Sequence, residues 1–165
     1  MKIYNDVLTQ DILEECYHEL WEKRRLNCWR SSLLTWPQDV LVNVAGNCLS
    51  TSVSDDLTLQ LENSLKNILP PYDRLGMTFH IWQSNSGISS HNDSNYKFGA
   101  TVYLNVDWHV NDGGLFVWVD GKTFELKVYL PSYNTLVLND EKEDHLVTPV
   151  TKNSSNRYTI QIFGN

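Results

Sequence analysis

Residues 157–163 read Arg-Tyr-Thr-Ile-Gln-Ile-Phe and residues 101–106 read Thr-Val-Tyr-Leu-Asn-Val. Successive side chains of an extended chain point to opposite faces. Tyr158, Ile160 and Ile162 therefore share one face, and Arg157, Thr159 and Gln161 the other. Val102, Leu104 and Val106 divide in the same way from Thr101, Tyr103 and Asn105. The apolar faces require a cover, which amphipathic helices supply, and the polar faces then line the space between two sheets. An arginine in such a space requires an anionic partner, because an unpaired buried charge is costly. A ligand could be that anion.

Working outward, short runs rich in Val, Ile, Thr and aromatics recur at 77–83, 100–106, 115–119, 122–130, 134–139, 145–150 and 157–163, separated by turn residues. Seven runs of this kind predict a sandwich or barrel. The first third reads as helical. Thr9 stands where an N-cap would, with Leu8 placed to staple onto Leu13, and Ile12, Leu13, Cys16, Tyr17, Leu20 and Trp21 follow at helical spacing. This helix ends in Lys23, Arg24 and Arg25, cations that the helix dipole favours at a C-terminus and that need no binding role. A second helix starts at Ser54, carries Leu57, Leu61, Leu65 and Ile68 on one face and is stopped by Pro70-Pro71. A chain of 165 residues with no linker composition predicts one domain, in which residues 1–75 are mostly helical support and 76–165 form the β core.

Hydrophobic residues make up 41% and charged residues 20% of the chain, and the mean hydropathy is -0.36, as in soluble globular proteins. MKIYNDVLTQ has no signal-peptide stretch, and no run is long enough for a membrane span, so neither export nor a membrane partner is expected. A net charge of -7 would repel phosphate backbones, which excludes nucleic acid as an expected partner. Cys16, Cys28 and Cys48 form an odd set without a CxxC pair, which predicts a reducing, cytoplasmic setting. HExxH, GxSxG, GxxxxGK[ST] and GxGxxG are all absent, so zinc peptidase, serine hydrolase, P-loop and Rossmann chemistry lack their minimum parts.

His91 and Asp93 lie two apart, on the same side of an extended segment and close enough to hold one ion. His-x-Asp alone is a weak signal. His145, at the start of a predicted strand, could complete a set of two histidines and one carboxylate, which leaves three adjacent positions open on iron(II).

With its surroundings, the sequence resembles the 2-oxoglutarate and iron(II)-dependent oxygenases, in particular their prolyl 4-hydroxylase-like branch. The matching pieces are His91-Asn92-Asp93, Thr101 to Asn105 followed by Asp107-Trp108, Gly113-Gly114, the Pro131 to Asn139 stretch, His145 to Pro149, and Arg157-Tyr158. They lie in the family's order over roughly the last ninety residues. The resemblance implies a double-stranded β-helix (jelly-roll) core with supporting helices packed on one sheet. It implies iron(II) held by His91, Asp93 and His145, and 2-oxoglutarate whose distal carboxylate is bound by Arg157, with Tyr103 donating to the same carboxylate. It also implies dioxygen as co-reactant and ascorbate as accessory reductant. The reaction would hydroxylate a prolyl residue of a peptide or protein while 2-oxoglutarate is oxidatively decarboxylated to succinate and CO2. Two alternatives stand beside it, the same chemistry on a free amino acid or small molecule and a non-catalytic jelly-roll binding module. Asp93 favours hydroxylation over halogenation, since related halogenases lack the carboxylate. The Arg-rich ending of nucleic-acid demethylating relatives is missing.

One departure concerns Arg157, which lies twelve residues after His145, behind a turn Lys152-Asn-Ser-Ser-Asn156 longer than expected, so Lys152 is a reserve cation. His18, His80 and His109 read as structural histidines, and Gly113-Gly114 as a turn with positive φ. Trp82 could line the pocket or simply pack, and Gln161 and Phe163 could touch ligand or fill the lumen. Trp29, Trp36 and the segment up to Gly46 fall where the resembling hydroxylases carry a loop over substrate. Ser84 to Ser90 has the polar composition of an active-site rim.

Overall fold

The alternation in residues 157–163 becomes the central strand of a sandwich. The computed structural model describes residues 1–35 and 45–165. In chain order these form β1 (Lys2–Asn5), α1 (Gln10–Arg25), β2 (Arg30–Thr35), β3 (Ala45–Ser52), α2 (Asp55–Leu65), β4 (Leu75–Trp82), β5 (Ile88–His91), β6 (Phe98–Tyr103), β7 (Phe116–Val119), β8 (Leu126–Tyr129), β9 (Thr135–Asn139), β10 (His145–Val147) and β11 (Arg157–Gly164). The larger sheet runs in the order β1-β9-β6-β11-β4-β3-β2 and the smaller in the order β5-β10-β7-β8. Among the described residues every strand pairing in both is antiparallel. This is the double-stranded β-helix core, with both helices packed on one face of the larger sheet.

Apolar spacing decides which face the helices cover. Leu13, Cys16 and Leu20 of α1 and Leu57, Leu61 and Leu65 of α2 are buried against Met77 and Phe79 of β4, Val102 of β6, Leu136 and Leu138 of β9, and Ile160 and Ile162 of β11. Ser54 caps α2, its hydroxyl accepting from the Leu57 amide at 3.3 Å. Thr9 takes the extended N-cap conformation of α1 but makes no side-chain cap bond. Leu8 and Leu13, buried in the same cluster, hold that end of the helix instead. At the other end Lys23 pairs with Glu19 at 2.8 Å and reaches the Ser52 carbonyl. The basic end of α1 is thus tied into the fold.

The first 75 residues are less helical than expected, because β1, β2 and β3 extend the larger sheet at its two edges. These strands carry weak patterns. β2 and β3, Arg-Ser-Ser-Leu-Leu-Thr and Ala-Gly-Asn-Cys-Leu-Ser-Thr-Ser, are rich in small polar residues, and their pairing is a matter of backbone and not of alternation. The stretch Ser84 to Ser90 is not a loose rim either. Its second half is β5, and Val150 pins the first half by accepting from Asn85 and donating to Ser86. Val106 lies beyond the end of β6 and is exposed, and α2 ends at Leu65, before Pro70-Pro71. Trp36 and most of the stretch up to Gly46 lie outside the described residues.

Candidate active site

β5 and β10 pair so that His91 stands directly opposite His145. The register brings the two rings to 4.3 Å between centroids. Each ring is oriented by the carbonyl two residues before it, with His91 Nδ1 at 2.9 Å from the Ser89 carbonyl and His145 Nδ1 at 3.0 Å from the Glu143 carbonyl. A carbonyl accepts only, so each Nδ1 carries the proton and each Nε2 keeps its lone pair. Asp93 reaches between them, with one carboxylate oxygen 3.8 Å from His91 Nε2 and the other 3.5 Å from His145 Nε2. One ligand atom from each of the three residues falls within 4.8 Å of the others, so they could hold a single ion. His145 is buried, stacked on Phe116 at 5.1 Å, and burial lowers its pKa, which keeps Nε2 free for a metal.

Asp93 depends on a residue that pattern reading passed over. A Cβ on Gly99 would come within 2.5 Å of the Asp93 carboxylate. Glycine is therefore what allows β6 to run beneath the metal cluster. Only the register reveals this, since Gly99 has an ordinary φ and no turn signal around it.

Arg157 opens β11 on the inner face and is 1% exposed. Its guanidinium carbon lies 5.1 Å from the Trp82 ring centre and 5.0 Å from that of Tyr103. None of its three guanidinium nitrogens, nor the Tyr103 hydroxyl, has a hydrogen-bond partner among the described residues. Burial lowers the Arg157 pKa and pushes the Tyr103 phenol up to about 12, so the phenol keeps its proton and can donate. Gly114, at φ +59, admits the arginine, because a Cβ there would come within 2.8 Å of Arg157 Cδ. Gly113 and Gly114 both have positive φ, as their spacing predicts. Lys152, the reserve cation, is exposed in the turn before β11. Arg157 is the buried cation of the pair.

A cavity of about 150 Å³ between the sheets is lined by His91, Asp93, His145 and Arg157 together. Trp82 is part of its wall, its indole NH donating to Thr159 Oγ1 at 3.2 Å, and so both packs and lines. Gln161 accepts from Thr101 Oγ1 at 3.0 Å, and Phe163 stacks on Tyr96 at 4.4 Å, both residues also facing the cavity. His80 is in the wall too, where burial lowers its pKa to about 4. The other two histidines read as structural sit on the surface: His18 is exposed on α1, and His109 caps the 3-10 turn Val110–Asp112. Trp29 packs against the helix-side core and is no part of the cavity wall.

The family model described as the 2OG-Fe(II) oxygenase superfamily matches residues 77–164, more than half of the chain. The chain belongs to the 2OG-Fe(II) oxygenase superfamily. Among solved structures, this oxygenase is similar to a Pseudomonas putida prolyl-4-hydroxylase, with a TM-score of 0.71 at 14% identity over 99% of this chain and 91% of that one. It is also similar to a Trichoplax adhaerens prolyl hydroxylase in complex with a hypoxia inducible factor oxygen degradation domain peptide fragment, with a TM-score of 0.71 at 17% identity over 99% and 82%. A third likeness is to the non-heme alpha ketoglutarate dependent epimerase SnoN from nogalamycin biosynthesis, with a TM-score of 0.62 at 14% identity over 99% and 76%. At these identities the structures share the fold. A comparison with curated protein sequences finds no match. The family's chemistry uses Fe(II), 2-oxoglutarate and dioxygen, and the His-Asp-His cluster of the cavity suits such an ion.

Proposed function

We propose that this oxygenase hydroxylates a prolyl residue in a peptide or protein, with oxidative decarboxylation of 2-oxoglutarate to succinate and CO2. The observation that carries the reading is that one cavity holds both a three-ligand cluster and a buried guanidinium with no hydrogen-bond partner among the described residues. Both fit what they would hold. Two neutral imidazoles and one carboxylate suit ferrous iron and leave positions open on it. A buried guanidinium fork suits a carboxylate, which relieves the cost of its burial.

His91 Nε2, Asp93 and His145 Nε2 would hold the iron, and the bound iron and 2-oxoglutarate supply the oxidising power that side chains lack. Arg157 anchors the distal carboxylate, with the Tyr103 hydroxyl as a second donor, and so sets the depth to which the cosubstrate enters. Phe116, Val147 and Ile88 give the cavity apolar walls that keep water from the reacting end. The prolyl substrate rests on similarity to the prolyl hydroxylases, one of them bound to a peptide. Ascorbate as accessory reductant and a cytoplasmic setting, which three unpaired cysteines suit, complete the reading.

The test needs no substrate at first. Anaerobic mixing with iron(II) and 2-oxoglutarate should produce a visible charge-transfer band that His145→Ala lacks. No band from folded wild type would overturn the reading in favour of a binding module. With the band in hand, prolyl peptides and free amino acids are supplied in parallel, with ascorbate, and mass spectrometry looks for the gain of one oxygen. Oxygen gained only by the small molecules would overturn the peptide assignment. Asp93→Ala should abolish iron-dependent succinate formation, and unchanged turnover would remove Asp93 from the metal site.

A further inference from the structure

Two buried asparagines at opposite ends of β9 make the same kind of clamp. Asn134 accepts from the Leu8 amide at 2.9 Å and donates to the Leu8 carbonyl at 2.8 Å, tying the chain before α1 to the start of β9. Asn139, at the end of β9, accepts from the Glu143 amide at 3.0 Å and donates to the Glu143 carbonyl at 3.0 Å. The second clamp lies in the cavity wall. Residue 139 belongs to the larger sheet and His145 to the smaller, so residues 140–144 carry the chain across, with Lys142 in a left-handed conformation at φ 58.

The Glu143 carbonyl is also the acceptor for His145 Nδ1, and Asn139 Nδ2 lies only 3.3 Å from that nitrogen. Two donors therefore converge on one carbonyl oxygen, which has two lone pairs to offer. In the sheet register Asn139 stands opposite Gly99, the residue that admits Asp93.

We propose that Asn139 is a positioning residue for His145. By holding the Glu143 carbonyl in place, it commits the Nδ1 proton of His145 and turns Nε2 toward His91 and Asp93. This inference rests on the metal reading above. Unclamped, the 140–144 crossing can turn the carbonyl away, and the imidazole then has no reason to prefer the tautomer with a free Nε2. Partners that orient a metal ligand in this way typically change metal affinity by about 10- to 100-fold when removed.

The experiment compares wild type, Asn139→Ala, Asn139→Leu and Asn134→Ala. Imidazole 15N spectra of the metal-free proteins, at a pH where histidine is neutral, report the tautomer, and anaerobic equilibrium dialysis reports Fe(II) affinity. Wild type should show His145 protonated on Nδ1. Asn139→Ala should give mixed tautomers and an Fe(II) affinity lower by about 10- to 100-fold. Asn139→Leu keeps most of the side chain's volume but removes both clamp bonds, so it separates the clamp from a packing defect of the alanine variant and should likewise lose the tautomer preference. Asn134→Ala should lower the melting temperature yet keep both the tautomer and the Fe(II) affinity of wild type. An Nε2-protonated His145 in wild type, or a wild-type tautomer in the folded Asn139 variants, would overturn the clamp. Equal effects of the Asn134 and Asn139 variants on Fe(II) affinity would do so as well. Wild type that shows the expected tautomer but binds no Fe(II) would instead overturn the metal reading, so the two failures are separable.

Discussion

The two faces of the larger sheet are made from alternate residues of the same strands, and they obey different rules. On the helix side, Phe79, Val102, Leu136 and Ile160 are completely buried among other apolar side chains. On the cavity side the same strands present His80, Tyr103, Asn139 and Arg157. The first face is arranged for burial, where each apolar group removed from water contributes to stability. The second buries a guanidinium and a phenol with no hydrogen-bond partner among the described residues, an arrangement that costs stability. Period-two alternation lets one set of strands serve both purposes, because a change on one face leaves the other in place.

Substitutions on each face test that separation. The largest effect is expected at Arg157, where Arg157→Ala should raise the 2-oxoglutarate requirement on the order of a hundredfold, the consequence of removing one partner of a buried charge pair. Iron(II) affinity should change little, and without cosubstrate the variant should melt no lower than wild type, since a buried charge whose hydrogen bonds are unmet has gone. A large fall in melting temperature would show that Arg157 is structural. Leu61→Ala, on the helix side, should do the reverse, costing about 2–5 kcal/mol in denaturant unfolding while the 2-oxoglutarate requirement of the folded fraction stays as in wild type.

A subtler effect is expected at His80, whose burial lowers its pKa from 6.5 to about 4. The unfolded chain takes up that proton as the pH falls through 6.5 while the folded chain does so only near 4. Stability from this group is therefore complete above the upper value and lost on acidification across the window, by up to about 3 kcal/mol. His80→Gln should flatten the pH dependence of unfolding between those values, and an unchanged profile would show that His80 is less shielded than it looks. Lys152→Ala is the smallest change, expected to alter the 2-oxoglutarate requirement by less than about twofold because exposed charges contribute little. A larger change would move the anion site from Arg157 toward the turn.

Much of this arrangement is legible before folding, and the particular residues show why. Ile160 and Ile162 alternating with Arg157, Thr159 and Gln161 announce a two-faced strand, and the His-x-Asp pair, the distal His145 and Arg157 all stand in the family's order. β1, β2, β3 and β5 were not legible, because their sequences carry little apolar alternation and their pairing is fixed by neighbouring strands. Trp29, which suits a core as well as a substrate groove, stays open in the sequence for a related reason. A tryptophan far from the core in sequence says nothing about which of two cores it will join, and here it joins the helix side.

Residue order alone accounts for the two-faced strands, the helices that cover one face and the set of side chains able to hold an ion and a carboxylate. Those depend on residue type and on spacing within a few positions, which are local properties. Folding is what sets His91 opposite His145, lets Gly99 and Gly114 leave room for Asp93 and Arg157, and brings Asn139 to the Glu143 carbonyl. These are contacts between segments distant along the chain or across a turn. Their distances are set by strand register and close packing, which only the folded chain possesses.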